Sequence, residues 1–477
     1  MHALLQTTAV RKGLSLPAIG IAVAVAVAAV TVLVSGAFHS SHHGATGAWP
    51  MYMGNFARTG FAAGETSITP ANVHELAQRW EVTGSATISD QATLADGFLY
   101  WGSWDGYEHA SDAGTGEELW RTFLGEETDP NCAPPHVGVG STAAIGSVPL
   151  HGQQTQLLFV GGGNGSVYAL RADTGAVVWS RNFGSPKQGW FIWSSPALYQ
   201  GSVYIGIASI GSCPLVRGAF VKLDAATGAI EAQFHTVTKG CIGASVWSSP
   251  TIDTSAGTVY VTTGNQGGAC TSREPYAQSM LQLSARNLKL EGAWRVPKDE
   301  LAPDGDFGAT PTLFTAQIDG KPTGLVGAVN KNGIYYAFRR GDVAAGPVWR
   351  TARISVFPVT IASSAWDGHR LYVAGMQTRI EGRTCTASIR AVDPSTGAFV
   401  WQRCAPGGDA EAALTATPGV VFEAAGYNLY GLSATTGATL FKFRAYHWFY
   451  APAMVAGGTL FIGNTDGRLY AFSIGGR

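Results

Sequence analysis

The chain has 477 residues, 62 of them glycine, with 46% hydrophobic, 11% aromatic and 13% charged residues and a formal net charge of −1. That balance shows no basic excess and excludes a nucleic-acid partner held by charge. The length would suit two or three ordinary domains, but glycine and aromatic residues at this frequency point instead to one large, turn-rich β-protein built from repeats.

Residues 1–12 end in Arg11 and Lys12, and from Leu14 to Phe38 no side chain is charged. A run of this length matches the roughly 20 apolar residues that cross a bilayer. Positive charge ahead of it makes 1–12 a cytoplasmic tail and places the remainder on the extracytoplasmic side. The expectation is a transmembrane anchor over 13–38 that holds the protein at the cell membrane. The alternative is a cleaved signal peptide with Ser35, Gly36 and Ala37 at its end. Residues 39–48 form a linker, in which His39, His42 and His43 read as a solvated spacer.

From residue 49 onward the sequence restates itself. The segments ASDAGTGEELW (110–120), ALRADTGAVVW (169–179), KLDAATGAIEA (222–232), AVDPSTGAFVW (391–401) and GLSATTGATLF (431–441) each read as strand, Thr-Gly turn, strand. Glycine supplies the positive φ of the turn, and the Asp or Thr side chain closes it locally. An alternating apolar strand precedes most of them, such as QLLFVGGGNG or GTVYVTTGN, so one unit supplies about four strands. The large residues that end the units are Trp80, Trp120, Trp179, Phe234, Trp294, Trp349, Trp401 and Phe441. Eight four-stranded units predict an eight-bladed β-propeller. LAQRWEVTG (76–84) has no inner strands before it, and the last unit stops before its outer strand. Joined, they would close the ring, with the tryptophans wedged structurally between blades.

Six cysteines, Cys132, Cys213, Cys241, Cys270, Cys385 and Cys404, form no CxxC or CxxCH motif, which leaves disulfides as their use in an oxidising compartment. Hairpin symmetry favours Cys385 with Cys404 and Cys213 with Cys241, leaving Cys132 for Cys270; fifteen pairings are formally open.

The pattern Ala-x-Asp-x-x-Thr-Gly-x-x-x-Trp, with the opening WPMYMGNFARTG (49–60), resembles the tryptophan-docking repeat of the pyrroloquinoline quinone (PQQ) dehydrogenases, including the alcohol and polyvinyl alcohol dehydrogenases. The resemblance covers nearly all of 49–477 and implies the same all-β propeller. It implies that Trp247, in VWSSPTIDTSAGTVYVTTGN, lies under the quinone beside Ser245, and that Asn265 at its end is a cofactor and metal ligand. In KDELAPDGDFGATP (298–311) it implies Asp306 as catalytic base and metal ligand, with Asp304 in reserve, and in VNKNGIYYAFRR (329–340) Lys331 as a contact to a quinone oxygen. A flat indole suits a planar quinone, an amide oxygen suits a hard cation, and a carboxylate can take an alcohol proton.

Two departures accompany the resemblance. The glutamate expected just before Val216-Arg217-Gly218 is absent, with Cys213 near its place, and no pair of adjacent cysteines is present. The expected function is therefore an oxidoreductase-like propeller with PQQ and an incomplete calcium site, acting on a small or polymeric alcohol and passing electrons to a separate acceptor. The alternative is a non-catalytic binding or scaffold propeller of the cell envelope. Each site residue also has a plain structural use: Trp247 in packing, since WSSP recurs at 193–196, and Asn265, Asp306 and Lys331 in turns.

Overall fold

Each Thr-Gly turn joins the third and fourth strands of a four-stranded antiparallel sheet, as between Tyr107–Asp112 and Glu118–Phe123. The computed structural model describes residues 47–211, 213–268, 270, 273–356 and 360–477. The expected cytoplasmic tail, the anchor over 13–38 and most of the linker lie outside the described residues. Among the described residues no helix is long and apolar enough to cross a membrane.

Eight such sheets form a β-propeller. Blades 1 to 7 span residues 93–123, 144–182, 197–235, 251–295, 312–350, 365–404 and 415–444. Blade 8 takes three strands from 454–474 and its outermost strand, Leu76–Val82, from the other end of the chain. The closing register runs from Leu76 opposite Ile474 to Val82 opposite Leu469, and Arg468 pairs with Glu81 across it. The predicted eight-bladed ring, closed between the two ends, is therefore the observed one.

Position within a blade explains the hydrophobic pattern. Second strands such as Ser202–Ser209 and Thr258–Thr262 are buried along their whole length, because a neighbouring blade covers each face. Outer strands such as Glu118–Phe123 and Val177–Asn182 retain exposed positions and alternate. The terminal tryptophans dock between blades. The indole Nε1 of Trp120 donates to Ala172 O at 3.0 Å, Trp179 to Ala225 O at 2.9 Å, Trp349 to Pro394 O at 2.8 Å and Trp401 to Ala434 O at 2.9 Å. Every acceptor belongs to the turn of the following blade. Gly228 in one such turn has φ +68°, and a Cβ there would stand 2.6 Å from the Trp179 ring. The glycine serves the turn and the docking together.

A second device sits at the axis. Residues 49–62 run past the innermost strands and exchange backbone hydrogen bonds with six of them. Trp49 pairs with Leu94; Pro50 O accepts from Ile145, Phe56 O from Ile252, Ala57 O from Leu313, Thr59 O from Trp366 and Gly60 O from Ala416. Arg58 is fully buried in this hub and donates to Pro250 O at 2.8 Å and Pro196 O at 3.3 Å. Its buried guanidinium is lowered to about 9 by desolvation.

The disulfides correct two of the three expected pairings. Cys385 and Cys404 are bonded across the blade 6 hairpin, but Cys241 is bonded to Cys270 rather than Cys213, and Cys132 and Cys213 are free. The linker into blade 4 lies beside the loop after Thr258–Thr262: Gly243 bridges Gln266, and Ala244 N donates to Asn265 O at 2.6 Å. That contact brings the Cα atoms of Cys241 and Cys270 to 5.0 Å, a proximity between elements that hairpin symmetry does not encode.

Candidate functional site

Linkers between blades and the turns after second strands open on one central cavity of about 640 Å³. This volume lies within the range of small-molecule sites, roughly 300–1,000 Å³. Trp247 enters it from the linker before blade 4, Asn265 from the end of the second strand of that blade, Asp304 and Asp306 from the linker into blade 5, and Lys331 from the turn after Lys321–Val329. Tyr52 of the hub also lines it, with its hydroxyl 3.1 Å from Ser363 Oγ.

Lys331 is the centre of the cluster. Its ammonium lies 2.8 Å from Asp306 Oδ1, 2.9 Å from Asp304 Oδ2 and 4.9 Å from the centre of the Trp247 ring. Burial opposes its charge, but the facing Asp306 and Asp304 carboxylates hold its pKa above the ordinary lysine value. Asp306 is almost fully buried, and Trp247 Nε1 donates to its Oδ2 at 3.3 Å. Desolvation raises the Asp306 carboxyl, while Lys331 works in the opposite direction. Its Oδ1 bears the ion pair but accepts no aligned hydrogen bond. That oxygen remains able to take a proton.

Asn265 is fixed by its neighbours. Its Nδ2 donates to Asp304 Oδ1 at 2.6 Å, and its Oδ1 accepts from Gln278 Nε2 at 2.8 Å, with Arg295 behind Gln278 at 2.7 Å. Gly308 leaves room for the indole: a Cβ there would collide with Trp247. The five positions singled out in the sequence, Ser245, Trp247, Asn265, Asp306 and Lys331, all line this cavity. Ser245 Oγ is engaged by Ser209, whose backbone N–H donates to it at 3.0 Å.

Three further carboxylates join them. Asp304, the reserve candidate, is a full member of the cluster. Asp90 and Glu411 also line the cavity, from the linkers into blades 1 and 7, and neither carries a motif that would have marked it in the sequence. Burial raises Asp90 to about 7; burial, with Asp409 adding to it, raises Glu411 to about 7. Among the described lining residues there are thus four carboxylates and one ammonium.

The residues present fit a planar, oxygen-rich ligand: an indole face for stacking, a cation for its oxygens, and an acceptor carboxylate with an open position. They fit calcium less completely. Asp304, Asp306 and Asn265 offer five side-chain oxygens at most, against the roughly six to eight that calcium takes. Cys213 supplies no oxygen in place of the absent glutamate and faces a separate recess.

A family profile described as glucose/ethanol/alcohol dehydrogenase, beta-propeller domain, matches residues 49–359, and one described as outer membrane protein assembly factor BamB matches 386–476. A polyvinylalcohol dehydrogenase of a Pseudomonas species is 26% identical over 409 residues, covering 74% of this chain and 61% of the relative. The quinohemoprotein alcohol dehydrogenase ADH IIB of Pseudomonas putida is 29% identical over 336 residues, 62% of this chain and 46% of the relative. The chain thus spans about half of the curated relatives it matches. Among solved structures, the quinohemoprotein alcohol dehydrogenase ADHIIG of Pseudomonas putida HK5 superposes with a TM-score of 0.74 at 16% identity, covering 90% of this chain and 81% of that one. BamB of Moraxella catarrhalis superposes with a TM-score of 0.54 at 15% identity, over 83% of this chain and 97% of that one. These structural likenesses establish the fold.

Proposed function

This chain belongs to the PQQ-dependent dehydrogenase β-propeller family, and from that premise we propose that it is an extracytoplasmic quinoprotein oxidoreductase acting on an alcohol or polyol. The observation that carries the reading is the convergence of Trp247, Asn265, Asp306 and Lys331 on one cavity, from four separate chain segments. PQQ, when bound, would supply the two-electron acceptor for the oxidation.

In this reading the Trp247 ring would offer the planar cofactor a stacking face, and the Lys331 ammonium would hold one of its oxygens. Asp306 accepts the hydroxyl proton of the substrate at Oδ1, the oxygen without an aligned hydrogen bond. Asn265 and Asp304 would hold a cation beside it, the remaining oxygens coming from cofactor and water. A cation held there would also offset the carboxylate charge of the cavity, which opposes an anionic cofactor. Electrons would pass to a separate acceptor, and the segment 13–38 would hold the propeller at the outer face of the cell membrane. The names of the relatives support an alcohol, small or polymeric, as substrate.

The test is titration of the purified protein with PQQ, with and without calcium, followed by tryptophan quenching and by dye-linked oxidation of primary alcohols and polyvinyl alcohol. Binding at micromolar PQQ that tightens with calcium is expected. Asp306→Asn should keep binding and lower turnover by about 10²–10⁴-fold. Absence of PQQ binding sinks the reading. It would favour a scaffold propeller, for which the excess of cavity carboxylates and the BamB-like segment 386–476 are the supporting observations.

A further inference from the structure

We infer that Cys132 and Cys213 join as a third disulfide, a cross-link between two loops that roofs the central cavity. Cys132 sits in the ribbon between blades 1 and 2, formed by Glu127–Thr128 and His136–Val137. Cys213 sits in the loop between Ser202–Ser209 and Ala219–Asp224 of blade 3. They are distant in sequence but adjacent in the fold. Cys132 Sγ lies 3.7 Å from Cys213 O, and Cys213 Sγ lies 3.3 Å from Asn131 O, so each sulfur rests against the backbone of the other loop. The two loops also touch independently of the sulfurs, since a Cβ at Gly211 would stand 2.8 Å from Ala133 O.

Placement gives the bond a consequence. Ala133 and Pro134 beside Cys132, and Gly211 and Leu215 beside Cys213, line the central cavity. The sulfur-bearing residues themselves line a separate recess of about 220 Å³ with Asp129 and Lys187. A bond here would tie the roof from its outer side without entering the ligand space. Cys213 is the more exposed of the two, and an external disulfide would reach it first. Contact with the Cys213 side chain pushes the Cys132 thiol up, and that contact ends once Cys213 is held in a mixed disulfide.

The chemistry balances by exchange. The Cys213 thiolate attacks a protein or low-molecular-weight disulfide, releasing one thiol and leaving a mixed disulfide. Cys132 then attacks the Cys213 sulfur and expels the second thiol. One Sγ–Sγ bond forms, two thiol protons are given up, and the two electrons leave on the oxidant, reduced to its dithiol. The bond needs only these two loops and their sulfurs, whether or not PQQ occupies the cavity.

The experiment treats the purified protein with oxidised glutathione, alkylates the remaining thiols and digests without reduction. A peptide containing Cys132 joined to one containing Cys213 is expected, about 2 Da below the sum of the two thiol forms. Recovery of both cysteines alkylated, with the Cys241–Cys270 and Cys385–Cys404 bonds intact, overturns it. Hydrogen exchange tests the roof. Oxidation should slow exchange over 129–137 and 213–218 by about tenfold, and C132S/C213S should exchange at the fast rate under both conditions. Equal exchange in oxidised and reduced protein would remove the bond's role as a roof.

Discussion

Lys331 holds three groups at once: two carboxylates at hydrogen-bond distance and an indole face beneath its ammonium. Removing it leaves Asp306 buried without its cation, a loss on the order of 3 kcal/mol. Lys331→Met should therefore lower the urea midpoint, and Lys331→Met with Asp306→Asn should recover more than half of the loss. A single variant as stable as the wild type would show that the pair does not support the fold. Asp90 makes a different prediction. Its folded-state pKa is raised to about 7 by burial, so folding takes up a proton between the unfolded and folded values. The associated stability is fully present below about pH 4 and falls as pH rises to about 7, at about 1.4 kcal/mol per pKa unit. Urea midpoints at pH 5 and pH 8 should differ less in Asp90→Asn than in the wild type. Trp247, Asn265, Asp306 and Lys331 were legible because the segments that carry them match motifs of the PQQ dehydrogenases, two in linkers and two after second strands. Asp90 and Glu411 were not, because no motif marks the linkers that carry them, and only the folded ring brings them to the same cavity as Lys331.

At the scale of the element, the repeating contact is indole on glycine turn. Gly228 and Gly152 both have positive φ, +68° and +81°, but only Gly228 faces a tryptophan; around Gly152 there is open space. Gly228→Ala should cost the backbone strain of Gly152→Ala, about 1 kcal/mol, plus roughly 1–3 kcal/mol for displacing the Trp179 ring. Thermal unfolding of the two variants side by side measures the difference, and equal losses would mean the docking adds nothing. This contact is written directly in the sequence as Thr-Gly and Trp, which is why blade number and strand order could be read from it. Trp294 shows where the signal thins. Its ring packs on Tyr336 and Phe338 of the third strand of blade 5, whose turn GDVAAGP carries no Thr-Gly. The pairing of Cys241 with Cys270 was illegible for a related reason: it joins two loops aligned by backbone bonds between Ala244 and Asn265, and no spacing within either loop encodes it.

For the whole molecule, ring closure depends on one short strand. Among the described residues, Leu76–Val82 has its only strand partner in Leu469–Ile474. A chain ending at residue 468 should lose closure and expose the faces of blades 7 and 1, read as dye binding by exposed apolar surface and as loss of cooperative unfolding. Retained cooperativity in that truncation would show that the other blades suffice. The hub of residues 49–62 sets a harsher condition. Its backbone groups find partners on blades 1, 2, 4, 5, 6 and 7, so the part of the propeller that leaves the ribosome first can be satisfied only after nearly all the rest has been made. Until then the segment stays hydrated and open, and maturation is a last-in seating event rather than a blade-by-blade ratchet. A chaperone or protease meeting the unfinished chain would find the hub residues still unclaimed.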